Sequence, residues 1–459
     1  MGWVGRVWRA SGEFLAANGR RFLPLVLGLV AMGAVLGLER SLLPLMASSV
    51  WGQDSYKAKT MFIVSFGLAK ALMNVVSGQL ADRFGRKLTL VIGFVFGLPV
   101  PLVILFTNSW DLVVAVNVLF GMSQGLIGSS LIFMVIDLFG VERKGLAVGI
   151  CEALIYSTVS VMSAVASEIA DKHGYRPVPF IIGAVVGGLG LLSSAFVIDT
   201  MDLVRAQQAN TAGNAAASDA LLLESGAKVE PVTYGGVDNG DAAALDDVLA
   251  GESRLPSRSA TEAIIRLATN PNFVLVALAG LMDKCKDSIL WGLAPEFLEE
   301  NHNVSIATTG IVLALYPAVW GGTQLFLGGA TDRLGRRLFL ALGFATNAIA
   351  LGAFVLIPMI HISYSERIIL WSLCAVLLGF GTAAVYPTMQ AAAADEVEPA
   401  WRASSLGIYR CVRDFGYAVG ALSAGGVADA FGLDWSIGGL ASLLFLLALA
   451  LAIFYRNRL

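Results

Sequence analysis

Apolar runs long enough to cross a bilayer recur along these 459 residues. They lie near 23–48, 60–81, 88–107, 111–136, 145–168 and 177–199, and again near 272–298, 308–330, 338–360, 367–392, 404–428 and 434–455. About 20 apolar residues make one helical crossing. The pattern therefore predicts an all-α membrane protein of twelve transmembrane helices in two sets of six. The stretch 200–262 breaks the pattern. It is rich in Ala, Gly, Ser and Asp and reads as a polar linker, with short helices expected at 217–224 and 241–250. Ser259 and Glu262 have capping-box spacing before the amphipathic TEAIIRLATN. The expected organisation is an amphipathic segment over 1–22, one bundle over 23–199, the linker over 200–262 and a second bundle over 263–459. The basic N-terminus precedes an apolar run too long for a secretory h-region, with no cleavage site after it, so the first span is expected to stay.

The two sets repeat each other. Residues 78–87 read GQLADRFGRK and residues 328–337 read GGATDRLGRR, each between two apolar runs. Phe22 and Phe273, then Pro44 and Pro295, match at an offset of 251. Further on, LAVGI at 146–150 faces SSLGI at 404–408 at an offset of 258, which sets Glu152 opposite Arg410.

With those residues in view the chain resembles the major facilitator superfamily over nearly its full length. Residues 78–90, GQLADRFGRKLTL, fit that family's loop motif G-x-L-A-D-R-x-G-R-K-x-x-L at every fixed position. The resemblance implies two pseudo-symmetric six-helix bundles around a cavity near the bilayer midplane, with access alternating between the two sides. It gives gating roles to Gly78, Asp82, Arg83, Gly85, Arg86 and Lys87, and to Asp332, Arg333 and Arg336 in the second copy. Asp82 would cap the N-terminus of the eleventh span, where a carboxylate suits the helix dipole. The glycines would allow close helix approach and a tight turn. Two departures weaken a drug/proton antiporter reading. Gly121 stands where many such exporters carry an arginine before Gln124–Gly125, and the fifth span has no proline.

Composition narrows the picture. The chain is 56% hydrophobic and 14% charged, so lipid must cover it. A net charge of −3 without a basic block excludes a nucleic-acid partner. The four cysteines lack metal or disulfide spacing and read as small buried apolar residues; no cofactor or metal is expected. Lys and Arg set the orientation: with the N-terminus inside, 20 fall on the cytoplasmic side and 5 outside. Both termini are expected in the cytoplasm, with the protein in the plasma membrane as a monomer.

Eleven ionisable residues lie inside the expected spans: Glu39, Arg40, Lys70, Glu152, Asp283, Lys284, Lys286, Asp287, Arg410, Arg413 and Asp414. Each would cost about 2.5–3.5 kcal/mol if it faced lipid, so most must face a wet cavity or each other. Arg410, Arg413 and Asp414 share one face of the eleventh span, and Asp283, Lys286 and Asp287 one face of the seventh. Lys284 falls off that face, and the adjacent Glu39 and Arg40 point about 100° apart. Arginine suits an anion because its fork is planar and bidentate. Candidate substrate-binding residues are therefore Arg410, Arg413, Arg40, Lys70 and Lys286, with Gln124 and Tyr409. Candidate proton carriers are Glu39, Glu152, Asp283, Asp287 and Asp414; the competing use is structural or gating ion pairs. The expected function is secondary active transport of a small solute, an anion by preference, coupled to H+. A drug or metabolite efflux antiporter and a non-transporting receptor or assembly factor are the alternatives. No catalytic constellation or nucleotide loop is present, so no enzyme activity is expected.

Overall fold

The computed structural model describes residues 3–139, 144–201, 267–397 and 402–456. Among them the regular structure is helical throughout, and the expected linker lies outside the described residues. The N-terminal half comprises α1 (Trp3–Ser49), α2 (Tyr56–Lys59), α3 (Met61–Phe84), α4 (Arg86–Gly97), α5 (Pro99–Phe106), α6 (Trp110–Phe139), α7 (Lys144–His173) and α8 (Val178–Phe196). The C-terminal half comprises α9 (Pro271–Gly292), α10 (Ala294–Glu299), α11 (Ile306–Leu334), α12 (Arg336–Leu356), α13 (Tyr364–Asp395), α14 (Arg402–Phe431) and α15 (Leu433–Phe454). Ten segments are long and apolar enough to cross a membrane, α4 and α5 together forming one of them. The other two long helices, α9 and α14, hold the charge clusters. Their polarity keeps them out of that set, although they pack into the same bundles.

Local chemistry fixes the helix ends. Asn270 caps α9 by accepting from the Phe273 amide, with Pro271 at the first helical position, where its missing N–H is harmless. Ser305 caps α11, and Ser363 with Glu366 forms a capping box on α13. Gly85 and Gly335 stand between α3 and α4 and between α11 and α12, at φ 90° and 89°, a region that disfavours side chains. These are the tight turns expected of the two motif copies. Pro99 splits its crossing at Leu98, whereas Pro24, Pro44, Pro317 and Pro387 sit inside continuous helices.

Each half is a bundle. In the first, α1 packs on α7 and α8, and α6 on α3 and α4; in the second, α9 packs on α14, α12 on α15 and α13, and α11 on α13. The halves meet along two seams, α7 against α11 and α3 against α14. The face bearing the Gly85 and Gly335 turns and the described C-terminal end is called the terminal face below, and its opposite the distal face. Among the described residues, polar contacts between the halves lie at the distal face or at the depth of Asp414. At the distal face Lys59 pairs with Glu296 and Glu300, and Asp429 accepts from Ser55 Oγ and from the amides of Tyr56 and Lys57. Deeper, Thr60 Oγ1 donates to the Ala421 carbonyl. Glycines allow the close approach: a Cβ at Gly425 would sit 2.7 Å from Lys57 Cα, and one at Gly67 would sit 3.0 Å from the Ala418 nitrogen.

The internal repeat is visible as repeated contacts. Arg86 pairs with Asp137 at the end of α6, and Arg336 with Asp395 at the end of α13. Lys87 donates to the Ala195 carbonyl near the end of α8, and Arg337 to the Ala452 carbonyl near the end of α15. Asp137 and Asp395 are 258 positions apart, the offset that relates Glu152 to Arg410.

Candidate functional site

The two charged helices of the C-terminal half supply most of the site. On α9 two lysines and two aspartates close on one another. Lys284 Nζ lies 2.5 Å from Asp287 Oδ2 and 3.2 Å from Asp283 Oδ2. Lys286 Nζ lies 2.8 Å from Asp283 Oδ1 and 2.5 Å from Thr382 Oγ1 on α13. Tyr316 of α11 donates to Asp287 at 2.6 Å. All four charged side chains are buried. The expectation that Lys284 stands apart fails: its long stem swings the ammonium back to Asp287, one turn on. It is enclosed by the rings of Trp320, Tyr386 and Tyr417 at 4.9–5.5 Å, where a cation is favourably placed.

This quartet is neutral and self-satisfied, so it reads as scaffold. Lys286→Met removes one of its two cations and leaves Asp283 buried with Lys284 alone. Breaking a buried pair from one side costs about 3–5 kcal/mol. The expected outcome is a much lower yield of monodisperse protein and a lower unfolding temperature, read by thermal unfolding in detergent.

On α14, Arg413 Nε donates to Asp414 Oδ1 at 2.6 Å and Arg413 Nη1 to the Tyr386 hydroxyl at 3.2 Å. The other Asp414 oxygen faces the N-terminal half. It accepts from Asn74 Nδ2 at 2.7 Å and lies 3.7 Å from Lys70 Nζ, both on α3. Arg410, one turn nearer the terminal face, makes no ion pair within 4 Å among the described residues; its guanidinium reaches Gln390 Oε1 at 3.4 Å. From across the interface α7 presents Glu152, which is buried, makes no ion pair within 4 Å among the described residues, and has Arg413, Lys284, Arg410 and Lys70 as its charged neighbours. Lys70 and Arg410 are half-buried, whereas Asp414, Lys284 and Asp287 are shut away. Beyond them the halves close with aromatic pairs, Tyr156 stacked on Trp320 and Phe66 edge-on to Tyr417. The charges are thus reached from the terminal face and sealed from the distal one.

Nine of the eleven intramembrane charges are buried, and Lys70 and Arg410 partly so. The site gathers Lys70, Glu152, Lys284, Arg410, Arg413 and Asp414. Arg40 lies one layer toward the distal face, packed over Phe66 at 4.2 Å and near Phe62 and Trp291, with none of its guanidinium nitrogens hydrogen-bonded. Glu39 is buried beside the Asn117 amide. Lys286, Asp283 and Asp287 stay within the α9 quartet, and two further candidates are not brought to the site either. Gln124 faces α1 inside the N-terminal bundle, donating to the Met32 carbonyl at 3.4 Å, and Tyr409 packs against Gly280 on α9. Tyr409 stands one turn before Arg413 on the same face, and both lie against Gly280. Several site residues escaped the sequence reading: Tyr156, Tyr386, Tyr417, Tyr316 and Thr382. The signal for two of them was spacing, since Tyr156 and Tyr417 each stand four residues after a site charge, Glu152 and Arg413.

The motif loop splits into what is placed and what is not. Gly85 makes the turn, and a Cβ there would collide with Asp199, which also accepts from the Lys87 amide. Arg86 and Lys87 tie α4 to α6 and α8 within one half, as Arg336 ties α12 to α13. Arg83 is exposed beside Phe84. A Cβ at Gly78 would meet nothing within 4 Å, so close approach is not its role here. The side chains of Asp82, Asp332 and Arg333 lie outside the described residues.

The family model of the Major Facilitator Superfamily matches residues 10–282 and again 273–458. The chain belongs to the Major Facilitator Superfamily. It is a multi-pass integral membrane protein. The hexuronate transporter of Bacillus subtilis is 25% identical over 171 residues, 36% of this chain and 39% of that protein. An uncharacterized MFS-type transporter of Mycobacterium tuberculosis is 27% identical over 135 residues, 29% of this chain and 23% of its own length. The chain thus matches well under half the length of these relatives. Among solved structures, the nucleoside transporter NupG superposes with a TM-score of 0.64 at 13% identity, covering 95% of this chain and 99% of its own. A peptide transporter POT mutant bound to alafosfalin gives 0.65 at 14%, covering 95% and 93%. At such identities these structures establish the superfamily fold alone.

Proposed function

We propose that this superfamily member is a secondary transporter that carries a small organic or inorganic anion by alternating access, coupled to H+. The observation that carries the reading is a buried cluster of charge between the halves, sealed distally and reached from the terminal face, in which Arg410 has no acidic partner. A cation left so is a standing site for a carboxylate, phosphate or sulfate. Arg413 and Lys70, which share Asp414, can turn toward the same anion. Glu152 is the acid free to carry a proton; the other site carboxylate, Asp414, is held by Arg413. The name of one relative, a hexuronate transporter, agrees with an anionic solute. On this reading α9 and α14 are the seventh and eleventh of twelve crossings, the terminal face is cytoplasmic, and the protein acts as a monomer in the plasma membrane.

A drug/proton antiporter fits less well. A Cβ at Gly121 would press on the Phe66 carbonyl and lie 2.9 Å from Ala69, which leaves no room for the arginine that such exporters carry there. The test is uptake into proteoliposomes of glucuronate, sulfate, phosphate and cationic dyes, with and without an imposed pH gradient. An anion should move, faster when the gradient drives protons with it. Dyes moving while no anion does would overturn the anion reading, and ligand binding without any flux would make the chain a receptor.

A further inference from the structure

The eleven intramembrane charges divide unevenly. Asp283, Lys284, Lys286, Asp287, Arg413, Asp414 and Lys70 all stand in ion pairs within 4 Å. Glu39, Arg40, Glu152 and Arg410 do not. Arg40 is enclosed by aromatic rings, and Glu39, its chain neighbour, is its main charged neighbour. That leaves one acid from the N-terminal half and one base from the C-terminal half, Glu152 and Arg410.

These two occupy equivalent positions of the repeat. Their offset of 258 is the one that relates Asp137 to Asp395, which make the same contact in their respective halves. Each stands eight residues beyond the first described residue of its helix (144 to 152 on α7, 402 to 410 on α14). At 1.5 Å per residue that is about 12 Å along the helix for both. They therefore sit at one depth, on the terminal side of the aromatic pairs that close the halves. Rocking that closes the terminal face brings these ends together. Closing over two unpaired opposite charges is costly, and closing with them joined offsets much of that cost.

We propose that Glu152 and Arg410 form an ion pair between the halves when the terminal face closes on an empty site, and that in the loaded carrier the anion held by Arg410 takes Glu152's place. This rests on the transport reading above. Lys70, Lys284 and Arg413 surround Glu152, and Gln390, Tyr386 and Arg413 surround Arg410, so each charge keeps a polar environment in the open state. The empty carrier returns with the pair made. The loaded carrier returns only if Glu152 gives up its charge or finds another of these cations.

Charge exchange tests it. Glu152→Arg and Arg410→Glu should each cut net glucuronate uptake, which needs the return of the empty carrier, about 100-fold, because each closes like charges on each other. The double variant Glu152→Arg/Arg410→Glu should recover at least tenfold over either single one. A second measurement needs no substrate. With Cys151, Cys285, Cys374 and Cys411 replaced by serine, Glu152→Cys/Arg410→Cys should be cross-linked by an ethylene-bridged bis-methanethiosulfonate in empty protein, and more slowly with glucuronate present. A folded double-charge variant no more active than the single ones, or a cysteine pair that never cross-links, overturns the proposal. Wild-type protein that moves no anion sinks the transport reading instead, and the cross-link still decides whether the two positions meet.

Discussion

Arg410→Ala is expected to abolish anion flux and leave the fold intact, whereas Arg413→Ala loses both. The two arginines share a face of α14 one turn apart, but only one is committed. Arg413 holds Asp414 at 2.6 Å, and Asp414 is shut from solvent. Deleting Arg413 leaves that carboxylate with Asn74 and a lysine at 3.7 Å. A buried pair broken from one side costs about 3–5 kcal/mol. The double variant Arg413→Ala/Asp414→Ala should recover part of that loss, since no orphaned carboxylate remains. Arg410 is half-buried and bonded weakly to one amide oxygen, so its removal should cost under about 1.5 kcal/mol. Thermal unfolding in detergent separates the two, and proteoliposome uptake measures the flux. A destabilised Arg410→Ala beside a sound Arg413→Ala would invert the assignment of scaffold and binding group.

The sequence makes the scaffold legible and the pairing illegible. Hydrophobic runs mark the ten segments long and apolar enough to cross to within about six residues, because a run of about 20 apolar residues has few other uses. The two Gly-centred turns were readable as well, since the chain must reverse inside a polar loop there and only glycine takes φ near +90° without strain. Periodicity placed charges on faces. It does not say how far along its stem a lysine reaches, and Lys284, off the shared face by periodicity, reaches Asp287. Nor could it tell Arg413 from Arg410, since both are arginines on one face and their difference lies in α3 and α13. The distal contacts had no signal at all. Lys59, Glu296 and Asp429 stand near helix ends, where single charges commonly meet the membrane interface, and only the packing of α2 against α14 and α10 shows them to be partners. Gln124 misled because a familiar spacing says nothing about which bundle wall a side chain faces.

Those distal contacts carry the second large effect. Lys59→Ala should shift the protein toward a distally open form by roughly 30- to 150-fold, about 2–3 kcal/mol. Lys59 is buried between Glu296 at 2.9 Å and Glu300 at 3.2 Å, and Ser48 donates to Glu300 from α1. Without the ammonium, Glu296 stays buried and unpaired for as long as the face is shut, so opening relieves it. Burial works against the Lys59 ammonium, but the Glu296 and Glu300 carboxylates outweigh it and hold its pKa above the ordinary lysine value. Lys59 therefore stays charged in mild alkali, which should not open this face, whereas acid weakens the pair by protonating Glu296, whose carboxyl burial pushes up to about 8. Asp429→Ala should act in the same direction through α2, which it anchors by three hydrogen bonds. Lys172, exposed and paired only along its own helix with Glu168, is the control, and Lys172→Ala should change nothing. Thr309 reports the opening because it is buried beside the Gly310 contact with α7. In a background without native cysteines, Thr309→Cys should react with an impermeant maleimide far faster when Lys59 or Asp429 is replaced. Equal rates in all backgrounds would mean that the aromatic pairs deeper in, rather than this latch, keep the distal side closed.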